Sequence, residues 1–139
     1  MAQKTAAAHK TLGPLFSNEV GFAKLTYDFA ADGGATSDTY VIGTAGRKIA
    51  IMDAMVQVET ACTSGGSATV SIGVSGGDVD AFLDVASGAV ANLVDDFCEK
   101  ETAGQKIVVA ASGKIELVIG TAALTAGKIN LLVKYVNVD

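Results

Sequence analysis

Along most of this chain apolar side chains recur at every second residue, in short runs cut by glycine-bearing turns. From residue 21 onward, Ala23, Leu25, Tyr27 and Phe29 alternate with Lys24, Thr26 and Asp28. Side chains leave a strand on opposite faces in turn, so this period describes a strand with one face on a core and one in water. The cluster Ala31-Asp32-Gly33-Gly34 then supplies positions that tolerate positive φ and ends the run. The same pattern returns at Ala68, Val70, Ile72 and Val74, between the pairs Gly65-Gly66 and Gly76-Gly77. A short strand is expected at residues 39–42. Residues 106–110, the Ser112-Gly113 turn and the alternating Ile115, Leu117 and Ile119 read as a hairpin. A last strand over residues 128–138 places Ile129, Leu131, Val133 and Tyr135 on one face and Asn130, Leu132, Lys134 and Val136 on the other. With both faces fairly apolar, it is expected at the centre of a sheet or against a partner chain.

Four segments depart from the simple alternation. In residues 48–59 the apolar positions are odd at Ile49 and Ile51 but even at Ala54, Val56 and Val58. A strand changes phase only by taking in an extra residue, which predicts a β-bulge, or a bend between two sheets, near Asp53. Val79, Phe82, Leu83 and Ala86 stand at i, i+3, i+4 and i+7, the spacing of one helix face, and predict a short helix over residues 78–86 capped by Asp78. Residues 89–97 fit neither period. Residues 1–20 hold scattered positive charge, the single proline at position 14 and no sustained period. They are expected to form an extended N-terminal arm, either a loose tail or a segment that docks on a neighbour through Leu12, Leu15 and Phe16.

A chain of 139 residues, half of them hydrophobic and 18% charged, has enough apolar surface for one core and too few residues for two. The expected fold is therefore all-β: an arm over residues 1–20, then a jelly-roll-like antiparallel β-sandwich over residues 21–139 with one short helix. An up-and-down barrel is the alternative.

Sites of chemistry fare poorly. His9, the single histidine, lies in the arm, so no nucleophile–histidine relay assembles within the ordered body. Residues 120–128 have the outline of a phosphate loop, but the glycine spacing is wrong and Ile129 stands where Ser or Thr must ligate magnesium. A hairpin turn is expected there. Asp78, Asp80 and Asp84 are the best metal candidate, since calcium favours clustered carboxylates, yet their spacing fails the twelve-residue calcium loop. Asp95, Asp96, Glu99 and Glu101 read as a solvated acidic face. Cys62 and Cys98 form no C-x-x-C motif and are expected to be free thiols rather than a disulfide. No enzyme activity, cofactor or bound metal is expected. A net charge of −5 disfavours a nucleic-acid partner. No apolar run reaches the ~20 residues of a membrane span, and the first twenty residues lack the apolar stretch of a signal peptide.

The stretch Ala68-Thr69-Val70-Ser71-Ile72-Gly73-Val74, followed by Gly77-Asp78-Val79-Asp80-Ala81-Phe82-Leu83, resembles small virion structural proteins of tailed bacteriophages, in particular capsid decoration (cement) proteins. The closing Leu124-Thr125-Ala126-Gly127-Lys128-Ile129 is similar too. The resemblance implies a jelly-roll body that forms a homotrimer on the capsid surface and clamps adjoining major capsid protein subunits, with the arm reaching along the shell. It also implies synthesis in the bacterial host cytoplasm. A tail-fibre or baseplate adhesin that binds a host glycan is the alternative, weakened by an aromatic content of 6% without tryptophan.

Overall fold

The computed structural model describes residues 3–12, 20–95, 98–99 and 107–138, the pair 98–99 through its backbone. Among these residues nine strands form two sheets: β1 (Gln3–Leu12), β2 (Val20–Asp28), β3 (Thr39–Ala45), β4 (Ile49–Ser64), β5 (Thr69–Val74), β6 (Cys98–Glu99), β7 (Ile107–Val109), β8 (Lys114–Gly120) and β9 (Leu124–Asn137). One sheet has the order β1-β3-β8-β5; the other runs β2-β9-β4, with β6 and β7 both on the far side of β4. From β2 onward the chain passes back and forth between the sheets, the winding of the expected jelly roll. Among the described residues every pairing between strands is antiparallel except β1 with β3.

The alternation in the sequence becomes burial. Leu25, Tyr27, Val56, Val58, Ile129 and Leu131 from one sheet share a single core with Tyr40, Ile42, Ile72, Leu117 and Ile119 from the other. Tyr27 and Tyr40 meet in it with ring centroids 5.1 Å apart and planes tilted by 51°, an arrangement that suits the ring quadrupoles. The Tyr27 hydroxyl donates to the Gly33 carbonyl at 2.5 Å, so its polar end is satisfied. The last strand is central as expected: β9 pairs with β2 on one side and β4 on the other.

The phase change in β4 is a bulge. Ile51 pairs with Tyr135 and Asp53 with Lys134, which leaves Met52 as the extra residue. Ile51 and Ala54 are both buried as a result, while Met52 faces solvent. The strand stays in the five-stranded sheet throughout, so the alternative of a bend between sheets is not what happens.

The helix expected over residues 78–86 does not form. That segment is a loop folded back along β5, whose outward backbone groups it satisfies. Val70 donates to the Gly88 carbonyl at 2.8 Å, Ile72 to Leu83 at 3.0 Å and Val74 to Asp78 at 2.8 Å, and Phe82 donates back to Ile72 at 2.9 Å. Helical bonding would have left this sheet edge open, which sheet proteins avoid. Consecutive burial of Ala81, Phe82 and Leu83, with Val79 half exposed, follows from that path rather than from a helix face. The short α-helix is instead α1 (Phe29–Asp32), capped by the Asp28 side chain, which accepts from the Ala30 N–H at 3.0 Å. A single 3₁₀ turn spans Val90–Asn92.

Two expected hairpins are crossings. β7 pairs with β4 but β8 with β3 and β5; β8 and β9 likewise lie in different sheets. Tight turns do occur at Ser112 and Thr121, both at positive φ, but each carries the chain over the core instead of back along the same sheet. The arm also needs correcting in part, because residues 3–12 are β1, an edge strand of the four-stranded sheet. Leu12 is 1% exposed and Ala6 is buried, both within the chain's own core. Burying a leucine stabilises by about 1.5–3 kcal/mol, which explains why an apolar residue that looked spare in the sequence is used locally.

Gly88 tests the covered edge. A Cβ there would lie inside the van der Waals shell of the Val70 carbonyl, whereas one at Gly65 would meet nothing within 4 Å. Gly88→Ala is expected to cost at least ~2 kcal/mol, because backbone cannot yield cheaply, and to lower the melting temperature by several degrees. Gly65→Ala should change it little. Thermal unfolding followed by circular dichroism measures both.

Candidate functional site

The surface most suited to function is the outer face of the five-stranded sheet. Strand register arranges its side chains in rows across β2, β9, β4 and β7. Val20, Val136, Ala50 and Val108 form one row, followed by Phe22, Lys134 and Asp53, then Lys24, Leu132 and Met55. Phe22 is 76% exposed, and Val20, Met52, Met55 and Val108 also stand out from the surface. Phe22, Met55 and Leu132 edge a shallow groove of about 360 Å³. Apolar exposure gathered on one face marks interaction surfaces far more often than scattered single residues do. The Lys134 ammonium lies 5.9 Å from the Phe22 ring centroid, so the aromatic edge carries positive charge.

One end of the same face is polar. Asn130, 1% exposed, accepts from the Thr26 hydroxyl at 2.8 Å and donates to Gln57 at 2.7 Å and to Glu59 at 3.2 Å. Glu59 in turn pairs with Lys128 at 2.7 Å and reaches Lys24 at 3.9 Å. The hydrogen bond from Lys128, then that from Asn130, holds the Glu59 carboxyl below its ordinary value. A satisfied polar network of this kind fixes the register of β2, β9 and β4. It went unnoticed in the sequence because Asn130 reads as an ordinary outward residue of β9; only the strand partners show what surrounds it.

The residues singled out in the sequence are scattered. Leu12 is in the core, and Leu15 and Phe16 lie outside the described residues. Asp78 and Asp80 are neighbours: a hydrogen bond between their carboxyls is the main cause of the raised pKa of Asp80. The Asp84 carboxylate accepts from the Ser87 N–H at 2.8 Å. Among the described residues no three His, Cys, Asp or Glu side chains converge into a metal-holding group. His9 sits on β1, and its Nε2 lies 2.7 Å from the Thr44 hydroxyl on β3. Cys62 is a buried free thiol whose pKa burial pushes up to about 11, and at neutral pH it stays protonated. The acidic group at residues 95–101 falls largely outside the described residues. Lys128, at the end of the supposed phosphate loop, pairs with Asp28 in the β2–β9 ladder. No described helix is long and apolar enough to cross a membrane.

β1 is held by polar contacts to its neighbours. Lys4 forms an ion pair with Asp38 at 2.5 Å and lies over the Tyr40 ring at 5.6 Å. Gln3 donates to Glu116 at 3.0 Å, and the Ala7 N–H donates to Asp32 at 2.8 Å.

No family model matches the chain, and no curated protein does. Solved structures do. A chain of the cyanophage Pam1 capsid asymmetric unit superposes with a TM-score of 0.66 at 16% identity, over 91% of both chains. A chain in the capsid of Ralstonia phage GP4 gives 0.65 at 15% identity over 97% of both. One in the acid-stable capsid of Helicobacter pylori bacteriophage KHP30 gives 0.58 at 16%, over 87% of this chain and 90% of that one. This protein has the fold of chains found in phage capsids. At such identities the likeness is one of fold, and it agrees with the sandwich fold that the sequence resemblance implied.

The Lys4–Asp38 pair makes the grip on β1 pH-dependent. The Lys4 hydrogen bond lowers the Asp38 pKa, and the same bond raises that of Lys4. A lowered carboxylate pKa stabilises above its unfolded value, near 3.8, and the gain is lost as pH falls through the folded value. A raised ammonium pKa stabilises below 10.5 and is lost as pH rises through the folded value. Lys4→Met is therefore expected to lower the melting temperature by about 1–3 °C at neutral pH. The gap to the unmodified protein should close in strong acid, as melting curves across pH will show.

Proposed function

We propose that this protein is a structural component of a phage virion that decorates and stabilises the capsid. In this reading it assembles as a homotrimer and binds across neighbouring major capsid protein subunits on the outside of the shell. The observation that carries the reading is the end-to-end match of the fold to chains of three phage capsids. Two features of the chain support it. The apolar rows of Phe22, Leu132, Met55 and Val108 offer a broad, nearly flat contact surface rather than a deep pocket, which suits a protein whose affinity comes from many copies acting together. The body is closed by two sheets with a shared core, a rigid form for bridging other subunits.

A glycan-binding role draws less support, because Phe22 is the one strongly exposed aromatic ring among the described residues and sugars stack on several.

The outer face is the part to test. Phe22→Asp should leave the melting temperature within ~2 °C, since an exposed side chain contributes little to folding. It should weaken binding to expanded capsids by tenfold or more, as loss of a central aromatic anchor does. Co-sedimentation with capsids and light scattering of the free protein supply the measurements. A stable monomer at micromolar concentration that neither binds expanded capsids nor changes their heat resistance would overturn the proposal.

A further inference from the structure

We infer that β1 is an exchangeable strand: its place on the edge of β3 can be filled by β1 of a second copy of the chain. This goes beyond the capsid role and does not depend on it, since it requires only that copies of the chain meet.

Four observations carry it. First, β1 belongs to no hairpin. It pairs with β3 alone, and residues 13–19 separate it from β2, which lies in the other sheet. Its departure breaks no other strand pair. Second, this is the parallel pairing of the domain, a less stable arrangement per residue than the antiparallel ladders around it. Third, the ladder is interrupted: Thr5 pairs with Val41 and Lys10 with Gly43, so four residues of β1 stand opposite one of β3. Ala7 in this interval bonds to the Asp32 side chain rather than to β3. Fourth, of ten residues only Ala6 and Leu12 are buried. Its other side-chain ties are polar, to Asp32, Asp38, Thr44, Lys114 and Glu116, with Asp38 and Glu116 themselves buried.

The seat is specific. Gly46 donates to the Leu12 carbonyl at 2.6 Å, and Leu12 fills a fully closed site. The chain's own β1 occupies that seat in the structure, so the chemistry of the ligand is known: an extended segment of this same sequence. Contacts made by an identical strand from another copy are equivalent, which is why terminal strands exchange at little net cost once copies are held close together. An emptied β3 edge would otherwise be open to non-specific pairing.

Thr11 and Thr44 are directly paired, with neither side chain buried, and report on who supplies the strand. Isotope-labelled Thr11→Cys protein is mixed at micromolar concentration with unlabelled Thr44→Cys protein, incubated, oxidised and digested. Mass spectrometry then looks for a disulfide that joins a labelled to an unlabelled peptide. The expected result is that mixed link, rising with incubation time and protein concentration. The double variant Thr11→Cys/Thr44→Cys, in dilute solution, serves as the geometric control and is expected to close within one chain. A closed double variant with no mixed link would overturn exchange and leave β1 as a fixed strand. Failure of both would overturn it as well, by showing that β1 does not occupy the β3 edge in solution. Neither negative result bears on binding to capsids, which the Phe22 measurement reads separately.

Discussion

The backbone ladder of β9 is the interaction on which the rest depends. Fourteen residues long, it pairs with β2 through nine successive residues and with β4 along most of its length. That double pairing puts Ile129, Leu131, Val133 and Tyr135 into the core and turns Asn130, Leu132, Lys134 and Val136 outward. It also requires β4 to take in Met52 as an extra residue, since without the bulge either Ile51 or Ala54 would face water. The candidate contact surface is thus the reverse side of the core, laid out by the same register.

A sandwich built this way has edges, and the four-stranded sheet covers its two in different manners. At β5 the covering loop is continuous with the strand it protects, and its close approach needs glycine at position 88. Beside β3 the cover is β1, a terminal segment anchored by Ala6 and Leu12 and by side-chain bonds to carboxylates. The first cover is part of the folding unit. The second is an addition to it, and that difference gives the molecule a permanent edge and a replaceable one.

Much of this was legible in residue order. The positions of β2 to β5 and β7 to β9, the bulge near Asp53, the central last strand and the sandwich class all follow from a two-residue period and its one change of phase. The errors have a common cause. Residues 78–86 carry helical spacing, yet their backbone groups are used by β5, and no local pattern reveals a distant partner. Turns at Ser112 and Thr121 look like hairpin turns because a tight reversal has the same chemistry whether the next strand joins the same sheet or the opposite one. Leu12 looked available to a neighbour because an edge strand with two buried residues in ten has no period to display.

The candidate site divides in the same way. That the outer face of β9 is unusually apolar is visible from Leu132 and Val136 alone. That Phe22, Met55 and Val108 join it depends on which strands flank β9, and that Asn130 is buried depends on Thr26, Gln57 and Glu59 arriving from both sides. The sequence by itself determined where β2 to β5 and β7 to β9 run and which of their faces turns to the core, because those follow from side-chain alternation along a single backbone. Only the tertiary structure decided which strands are neighbours, which edge β1 covers and which residues meet across the outer face, because register is set by hydrogen bonds between segments far apart in the chain.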